Sequence, residues 1–106
     1  MTEAGGAISG VQLVAKQLRA EGIDCIFGIV AGPISDIFPA ALREGIRVIS
    51  CRHEEQAGFM AQAYGYLTKK PGILVVGSGP GMTNTVTSMH VAQETGWPLV
   101  VIGGSA

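Results

Sequence analysis

The sequence has few charged residues for its size. Only 14% of its 106 residues are charged, whereas an ordinary soluble domain has about 25%. A short chain has much surface relative to its volume, and that surface is normally charged. The shortage therefore predicts that much of the surface contacts more protein. The formal net charge is −1 and the basic residues form no cluster, which argues against nucleic acid as a partner.

Cysteines, targeting segments and long apolar runs are also scarce. Two cysteines, Cys25 and Cys51, are too few for a disulfide framework and fit a reduced, intracellular protein. The stretch MTEAGGAISG has neither the basic start nor the apolar centre of a secretory signal. No apolar run approaches the roughly 18 residues that a membrane-spanning helix needs. We therefore expect an intracellular protein without a membrane segment.

The sequence does contain a regular alternation of strand and helix patterns. Short apolar runs predict four strands, near residues 25–30, 46–50, 72–77 and 98–103. Helices are predicted between them and before the first strand, where Ser9 can cap a helix that runs to about Glu21 with Val11, Leu13, Val14 and Leu18 as its apolar face. The predicted fold class is α/β, an open parallel sheet with helices on both faces.

Residues 1–106 are predicted to form a single, partial domain. The sequence ends at GGSA, directly after the last predicted strand. A parallel strand that is buried on both faces normally has a covering helix after it. We therefore expect a truncated domain.

Two stretches approach known motifs but lack a residue that each motif requires. HEEQA fails as a zinc HExxH motif because Ala57 stands where the second histidine is needed. Cys51, His53 and His90 show no recognised ligand spacing, so no metal site is predicted. VVGSGPGMTN has Met82 in place of the third glycine of a dinucleotide fingerprint. It is either a simple strand-to-helix turn or a turn that lets backbone approach a flat ligand.

The helix predicted from Glu54 to about Thr68 has one face of small residues. At spacings of three and four from Glu54, this small-residue face carries Ala57, Gly58, Ala61 and Gly65. The other sides are also largely apolar, which predicts a helix buried all round. Glycine inside a helix costs about 1 kcal/mol relative to alanine. We therefore expect this face to allow close approach of another backbone, at a subunit or domain interface.

Four polar residues, Arg52 to Glu55, stand at the start of that helix. A carboxylate there is favoured by the helix dipole, which is a sufficient structural reason for Glu55 and a possible one for Glu54. Arg52 is expected to pair with one glutamate. His53 is expected to be a half-buried, hydrogen-bonded residue rather than a catalyst.

Several stretches together resemble the N-terminal pyrimidine-binding domain of thiamine-diphosphate-dependent enzymes. They are FGIVAGPISDIF, RHEEQAGFMAQAYGYLTKKPG, GSGPGMTN and WPLVVIGGS, and the resemblance runs from about residue 9 to residue 105. The superfamily includes acetolactate synthases, oxalyl-CoA decarboxylases and 2-hydroxyacyl-CoA lyases. GYLTKKPG and WPLVVIGGS most resemble the lyase and decarboxylase branch. AGFMAQAY and GPGMTN resemble acetolactate synthase equally well.

The resemblance implies thiamine diphosphate as the cofactor and gives Glu54 a catalytic role. In the family, the glutamate of an Arg-(His/Asn)-Glu element hydrogen-bonds N1′ of the cofactor's aminopyrimidine. The match places this role on Glu54 and not on Glu55, where relatives often carry glutamine. An apolar pocket of small residues would disfavour the charged form of the carboxyl and help it to share a proton.

The resemblance also implies two cofactor-binding loops. Gly79, Pro80 and Gly81 match the family's turn beside the pyrimidine ring. The segment from Val30 to Pro33 matches a loop near the reacting end of the cofactor. The loop departs from the lyase branch at Ala31 and Gly32, and the strand before the turn departs at Gly77, so these positions bear on selectivity and pocket shape.

The implied partner is the diphosphate-binding domain, in the full-length chain or in another subunit. In the family that domain binds Mg²⁺ through a Gly-Asp-Gly…Asn motif, which does not occur in these 106 residues. The expected assembly is a homodimer or tetramer, in the cytoplasm or the peroxisome. Three functions stay open: a carbon–carbon lyase or decarboxylase domain, a non-catalytic remnant of the same fold, and a generic flavodoxin-like nucleotide binder. The isolated chain is expected to be inactive.

Overall fold

The computed structural model describes residues 7–105. In that range four strands form one parallel sheet: β1 (Cys25–Gly28), β2 (Arg47–Ser50), β3 (Gly72–Val76) and β4 (Leu99–Gly103), in the order β2-β1-β3-β4. The helices are α1 (Gly10–Ala20), α2 (Ile37–Arg43), α3 (Glu54–Thr68), α4 (Pro80–Thr83) and α5 (Val86–Thr95), with a 3₁₀ turn at Gly32–Ile34. None of the described helices combines the length and apolar character needed to cross a membrane.

The four predicted strands are confirmed, and each is one or two residues shorter than predicted. The largest difference is at β1, which ends at Gly28, so that Val30 lies in the following loop. Gly28 has a physical reason to be a glycine, because a Cβ there would collide with the carbonyl group of Val75 on the neighbouring strand. β1 and β3 therefore approach closely at their carboxyl ends.

Helix α1 begins at the predicted cap. The hydroxyl of Ser9 accepts from the backbone N–H of Gln12, and the side chain of Gln12 accepts from the N–H of Ser9, which is a capping box. The predicted apolar face was partly wrong. Ala15 is fully buried, whereas Leu13 is 58% exposed, so the face that packs inward is centred on Ala15.

Both faces of the sheet are covered, as predicted. Because alternate residues of a strand point to opposite faces, β3 contributes to two cores. On one face Ile73 and Val75 pack in a cluster with Ile37 and Phe38 of α2. On the other face Leu74 and Val76 pack in a cluster that includes Ala57 and Ala61 of α3.

The small-residue face of α3 packs inside this domain, so its assignment to a subunit interface was wrong. A Cβ on Gly58 would collide with the Ser88 side chain of α5, and one on Gly65 would lie 2.6 Å from the backbone nitrogen of Gly72. The face therefore serves close packing against α5 and β3. The helix is not buried all round either, because Met60 is 44% and Leu67 is 75% exposed.

The order of the strands creates a crevice at the centre of the sheet. From β1 the chain moves outward to β2, and from β3 it moves outward in the opposite direction to β4. The loops that leave the carboxyl ends of β1 and β3 therefore diverge although these strands are neighbours, with Gly28 paired to Val75. In open α/β sheets this switch point is the usual position of a ligand.

Candidate functional site

The loop after β1 and the turn after β3 start side by side at this switch point before they diverge. The N–H of Ile29 donates to the carbonyl oxygen of Val75 at 3.3 Å. A Cβ on Gly77 would lie only 3.0 Å from the Cβ of Ala31. The absence of a side chain at Gly77 thus allows the two loops to approach each other at the carboxyl edge of the sheet.

The 79–81 turn joins β3 to the short helix α4. Gly79 has φ 65° and ψ −121°, a conformation that residues with a side chain rarely adopt. Pro80 opens α4, where its missing N–H costs nothing. The N–H of Thr83 donates to the carbonyl oxygen of Gly79 at 3.1 Å. Gly79 and Pro80 are exposed and Gly81 is buried, so the turn presents backbone to the crevice.

Glu54 lies against this turn. It is the first residue of α3 and is half-buried. Its Oε1 accepts from the side-chain nitrogen Nδ2 of Asn84 at 3.1 Å. A Cβ built on Gly81 would lie 3.6 Å from Oε2 of Glu54. The two carboxylate oxygens therefore have different surroundings, an amide donor at Oε1 and a residue without a side chain near Oε2.

Glu55 lies in other surroundings. Together with His53, Gln56 and Phe59 it lines a separate cavity of about 400 Å³. The backbone N–H of Glu55 donates to Nδ1 of His53 at 3.0 Å, and His53 is the N-cap of α3. His53 is hydrogen-bonded as predicted, but it is exposed rather than half-buried.

Arg52 does not pair with either glutamate, contrary to the prediction. Within residues 7–105 no ion pair joins its guanidinium to Glu54 or Glu55, and its side chain is exposed. The helix start provides a physical reason, because the positive end of the helix dipole already favours both carboxylates. An additional cation is not needed to hold them there.

Val30 and Pro33 lie on the neighbouring loop. Val30 is 57% exposed, and Pro33 is an exposed residue of the 3₁₀ turn. Gly32 has φ 51°, which explains a glycine between two loop residues. The structure thus brings Glu54, Gly81 and Asn84 together, with Val30 and Pro33 at the same edge of the sheet.

Asn84 was not predicted as a site residue from the sequence. It stands three residues after Gly81 in GPGMTN, and residues three apart share one side of a helical turn. This spacing could have indicated Asn84, because it places the side-chain amide on the same side of the helical turn as Gly81. An exposed asparagine after a short turn has no hydrophobic pattern that would single it out.

The candidate metal ligands are not brought together. In the described part of the chain, no group of three or more His, Cys, Asp or Glu residues could hold a metal ion. The Sγ atom of Cys51 instead lies 3.7 Å from the carbonyl oxygen of Ile49. Burial raises the pKa of the Cys51 thiol, partly offset by a backbone hydrogen bond from Gly28.

The chain matches a known family over nearly its whole length. Residues 8–106 match the model of the thiamine pyrophosphate enzyme, N-terminal TPP binding domain. The chain belongs to this family. Membership in this family implies thiamine diphosphate as the ligand. The carboxylate of Glu54 and the exposed backbone at Gly79 are polar groups that could hold part of it.

Similar curated proteins have three different activities in their names. Human 2-hydroxyacyl-CoA lyase 1 is 42% identical over 93% of this chain and 17% of its own length. Oxalyl-CoA decarboxylase of Escherichia coli is 41% identical over 92% of this chain and 17% of its own length. The catabolic acetolactate synthase of Raoultella terrigena is 43% identical over 91% of this chain and 17% of its own length. The chain thus spans about one sixth of the length of each of these relatives.

Proposed function

We propose that this chain is the pyrimidine-binding domain of a thiamine-diphosphate-dependent carbon–carbon lyase or decarboxylase, most like 2-hydroxyacyl-CoA lyase or oxalyl-CoA decarboxylase. Its task is to hold the cofactor's aminopyrimidine and to supply the carboxyl group that activates it. Glu54 is that group in the proposal. Gly79, Pro80 and Gly81 bind one side of the ring, and Val30 and Pro33 lie toward the reacting end.

The observation that carries the proposal is the position of the Glu54 carboxylate. It lies at the switch point of the sheet, beside a turn whose buried glycine leaves Oε2 uncovered by a side chain. A flat, nitrogen-containing ring suits such a place, because backbone can approach its face while the carboxyl meets its edge. Glu55, one residue later, lines a different cavity.

The chemistry divides between cofactor and protein. When bound, thiamine diphosphate supplies the carbanion stabilisation that lets a carbon–carbon bond break or form. Glu54 would hold the proton that its carboxyl group shares with the ring nitrogen N1′. The rest of the site orients the ring, and the exposed face of the turn leaves room for the other parts of the cofactor. A positioned proton-transfer group of this kind contributes about 10²–10⁴-fold to a rate.

The proposal needs a partner domain. Mg²⁺ and the diphosphate group would be bound by a diphosphate-binding domain in the full-length protein or in another subunit, as part of a homodimer or tetramer. The low charge of the chain supports such contacts, as do the exposed apolar side chains of Phe59 and Met60 on α3. The expected location is the cytoplasm or the peroxisome.

The test compares two adjacent carboxylates in the holoenzyme. Glu54→Gln should lower the rate of C2 proton exchange on bound thiamine diphosphate by about 10²–10⁴-fold, the effect of losing one proton-transfer group. Glu55→Gln is the matched control and should change that rate less than about twofold. The exchange rate is chosen because it reports cofactor activation before any substrate reacts.

Two results would contradict the proposal. Equal losses in both variants would mean that the two carboxylates at the start of α3 contribute equally and that Glu54 has no specific role. A larger loss in Glu55→Gln would mean that Glu55, and not Glu54, activates the cofactor. Circular dichroism of both variants provides the check that α3 is still formed.

Acetolactate synthase is the second candidate activity. The relative with that name from Raoultella terrigena is 43% identical, against 42% for the human lyase. Assays of the holoenzyme with pyruvate, a 2-hydroxyacyl-CoA and oxalyl-CoA separate the three activities. Formation of acetolactate from pyruvate without cleavage of either acyl-CoA would favour the second candidate.

A further inference from the structure

We propose that Asn84 is a positioning residue for Glu54, and that its amide selects which carboxyl oxygen carries the proton. This inference rests on the proposed function and deepens it. Nδ2 of Asn84 donates to Oε1 of Glu54 at 3.1 Å. Oε2 lies on the other side, near Gly81. Asn84 thus occupies one oxygen and leaves the second for the ligand.

The backbone of Asn84 is held firmly. Its N–H donates to the carbonyl oxygen of Pro80 at 2.9 Å. The next residue, Thr85, is fully buried, and its hydroxyl donates to the carbonyl oxygen of Met82 at 2.6 Å. The side chain of Asn84 therefore extends from a fixed point and links the turn after β3 to the start of α3.

The chemistry of an amide suits this role. An amide N–H donates at any pH between strong acid and strong base, and it adds no positive charge. A lysine or arginine in this position would favour the ionised carboxylate and oppose proton sharing. Because Nδ2 already places hydrogen against Oε1, a second hydrogen on that oxygen is disfavoured. A proton on Glu54 therefore belongs on Oε2, the oxygen on the side of Gly81.

The orientation of the amide follows from the same contact. An Oδ1 placed against Oε1 would set an acceptor against an acceptor. The nitrogen therefore faces the carboxylate, and Oδ1 points elsewhere. No other side-chain hydrogen bond of Asn84 occurs among residues 7–105. Among the described residues, the Asn84 side chain thus forms its hydrogen bond with Glu54 alone.

The first experiment uses NMR of the ligand-free protein and does not depend on activity. The side-chain amide protons of Asn84 should show a hydrogen-bonded shift that disappears in Glu54→Ala and persists in Glu55→Ala. An unchanged signal in Glu54→Ala would overturn the inference. This measurement stands whether or not the protein turns over substrate.

The second experiment measures C2 proton exchange on bound thiamine diphosphate in the holoenzyme. Asn84→Ala should lower the exchange rate about tenfold to a hundredfold, the size expected for one hydrogen bond to a charged group. The dissociation constant of the cofactor should change less, by about threefold at most. Thr87→Ala, at an exposed position on α5, is the matched control and should leave both quantities unchanged.

A double-mutant cycle separates positioning from a merely structural role. In a Glu54→Gln background, Asn84→Ala should have almost no further effect on exchange, because the carboxyl it positions is gone. Additive losses in the cycle would overturn the inference. Should Asn84→Ala lower the unfolding midpoint, Asn84→Leu replaces it, since leucine keeps the size and removes the donor without placing a charge beside Glu54.

The outcomes for the two proposals differ. If Glu54→Gln leaves the exchange rate unchanged, the proposed function fails. If Glu54→Gln lowers the rate but neither Asn84→Ala nor Asn84→Leu does so, the proposed function stands and the inference about Asn84 fails. Loss of exchange in both single variants, with coupling in the cycle, supports both.

Discussion

The side-chain nitrogen of Gln62 lies 2.9 Å from the carbonyl oxygen of Ser88, and this hydrogen bond joins α3 to α5. The same nitrogen donates to the carbonyl oxygen of Gly58 at 3.2 Å. Gln62 is 1% exposed, and its Oε1 has no hydrogen-bond partner among the described residues. A buried amide thus fixes the spacing of two helices at the point where Gly58 faces Ser88.

Gly58→Ala should destabilise the fold. A Cβ at this position would collide with the hydroxyl and Cβ of Ser88, and overpacking of this kind costs about 1–3 kcal/mol. The loss should appear although alanine is the better helix former by about 1 kcal/mol. The measurement is the free energy of unfolding in urea.

Two further variants check the cause. Ser88→Gly in the Gly58→Ala background should recover stability, because it removes the atoms that collide. Gly10→Ala places a Cβ where no atom lies within 4 Å and should not destabilise the protein. Stability of Gly58→Ala equal to the wild type would mean that α3 and α5 are not packed as described.

Gly81→Ala should weaken cofactor binding without unfolding the domain. The new Cβ would lie 3.6 Å from Oε2 of Glu54, which is ordinary van der Waals contact. It would, however, cover the oxygen that we assign to the ligand. We expect the dissociation constant of thiamine diphosphate to rise about tenfold or more, the loss of one hydrogen bond to a charged group. Calorimetric titration of the cofactor-free, full-length protein with thiamine diphosphate measures it.

Gly79→Ala provides the contrast. No atom lies within 4 Å of a Cβ at this position, but the backbone has φ 65° and ψ −121°. Strain of this kind costs about 1–3 kcal/mol. Gly79→Ala should therefore lower the unfolding free energy, whereas Gly81→Ala should not. If Gly81→Ala lowered the unfolding free energy more than Gly79→Ala, the structural roles given to these two glycines would be wrong.

Tyr64 gives the protein a predictable response to alkaline pH. Its hydroxyl donates to Oδ1 of Asp24 at 2.9 Å, and this hydrogen bond, with burial, raises the pKa of Tyr64 above 10.0. Since the folded state holds the phenol proton more tightly, the contribution to stability is present below pH 10 and is lost as pH rises through the folded pKa. Phenolate absorbance followed against pH measures this pKa.

Asp24→Ala should lower the pKa of Tyr64 toward 10.0, because it removes the acceptor and the charge. Tyr64→Phe should remove this phenolate transition and identifies it. An unchanged transition in Asp24→Ala would show that burial alone causes the shift.

Cys25 should be the less reactive of the two thiols. It is 3% exposed, and burial raises its pKa above 9.0 despite the nearby Arg47. The thiolate is the reactive form, so alkylation near neutral pH should be slow in the folded protein and fast in urea. Cys51 is half-buried and should react first. Mass spectrometry after timed alkylation gives the order, and faster labelling of Cys25 would contradict it.

The sheet could be predicted from the sequence because its signals are local. Continuous apolar runs gave the strands, and Ser9 gave the start of α1. Parallel direction followed from the helices between the strands. The ends of the strands were less accurate because close approach of β1 to β3 at Gly28 depends on the tertiary structure.

Local signals could not predict what packs against the small-residue face of α3, nor the contact between Glu54 and Asn84. Periodicity shows that a helix face is small, but it does not show what covers it. Ser88 stands 30 residues after Gly58 in the sequence, and only the fold brings them together. Likewise, Glu54 was found through a family resemblance. Asn84 became visible only when α3 and the turn after β3 were placed side by side.

The groups at the carboxylate come from one continuous part of the chain. Glu54, Gly81 and Asn84 all lie between the start of α3 and the end of the turn after β3, whereas Val30 and Pro33 belong to the loop after β1. That loop is exposed at both positions and contributes neither residue to the two cores. Substitutions of Val30 and Pro33 should cost little stability and leave the carboxylate in place. A domain built this way can change Val30 and Pro33 during evolution while the Glu54 carboxylate keeps its position.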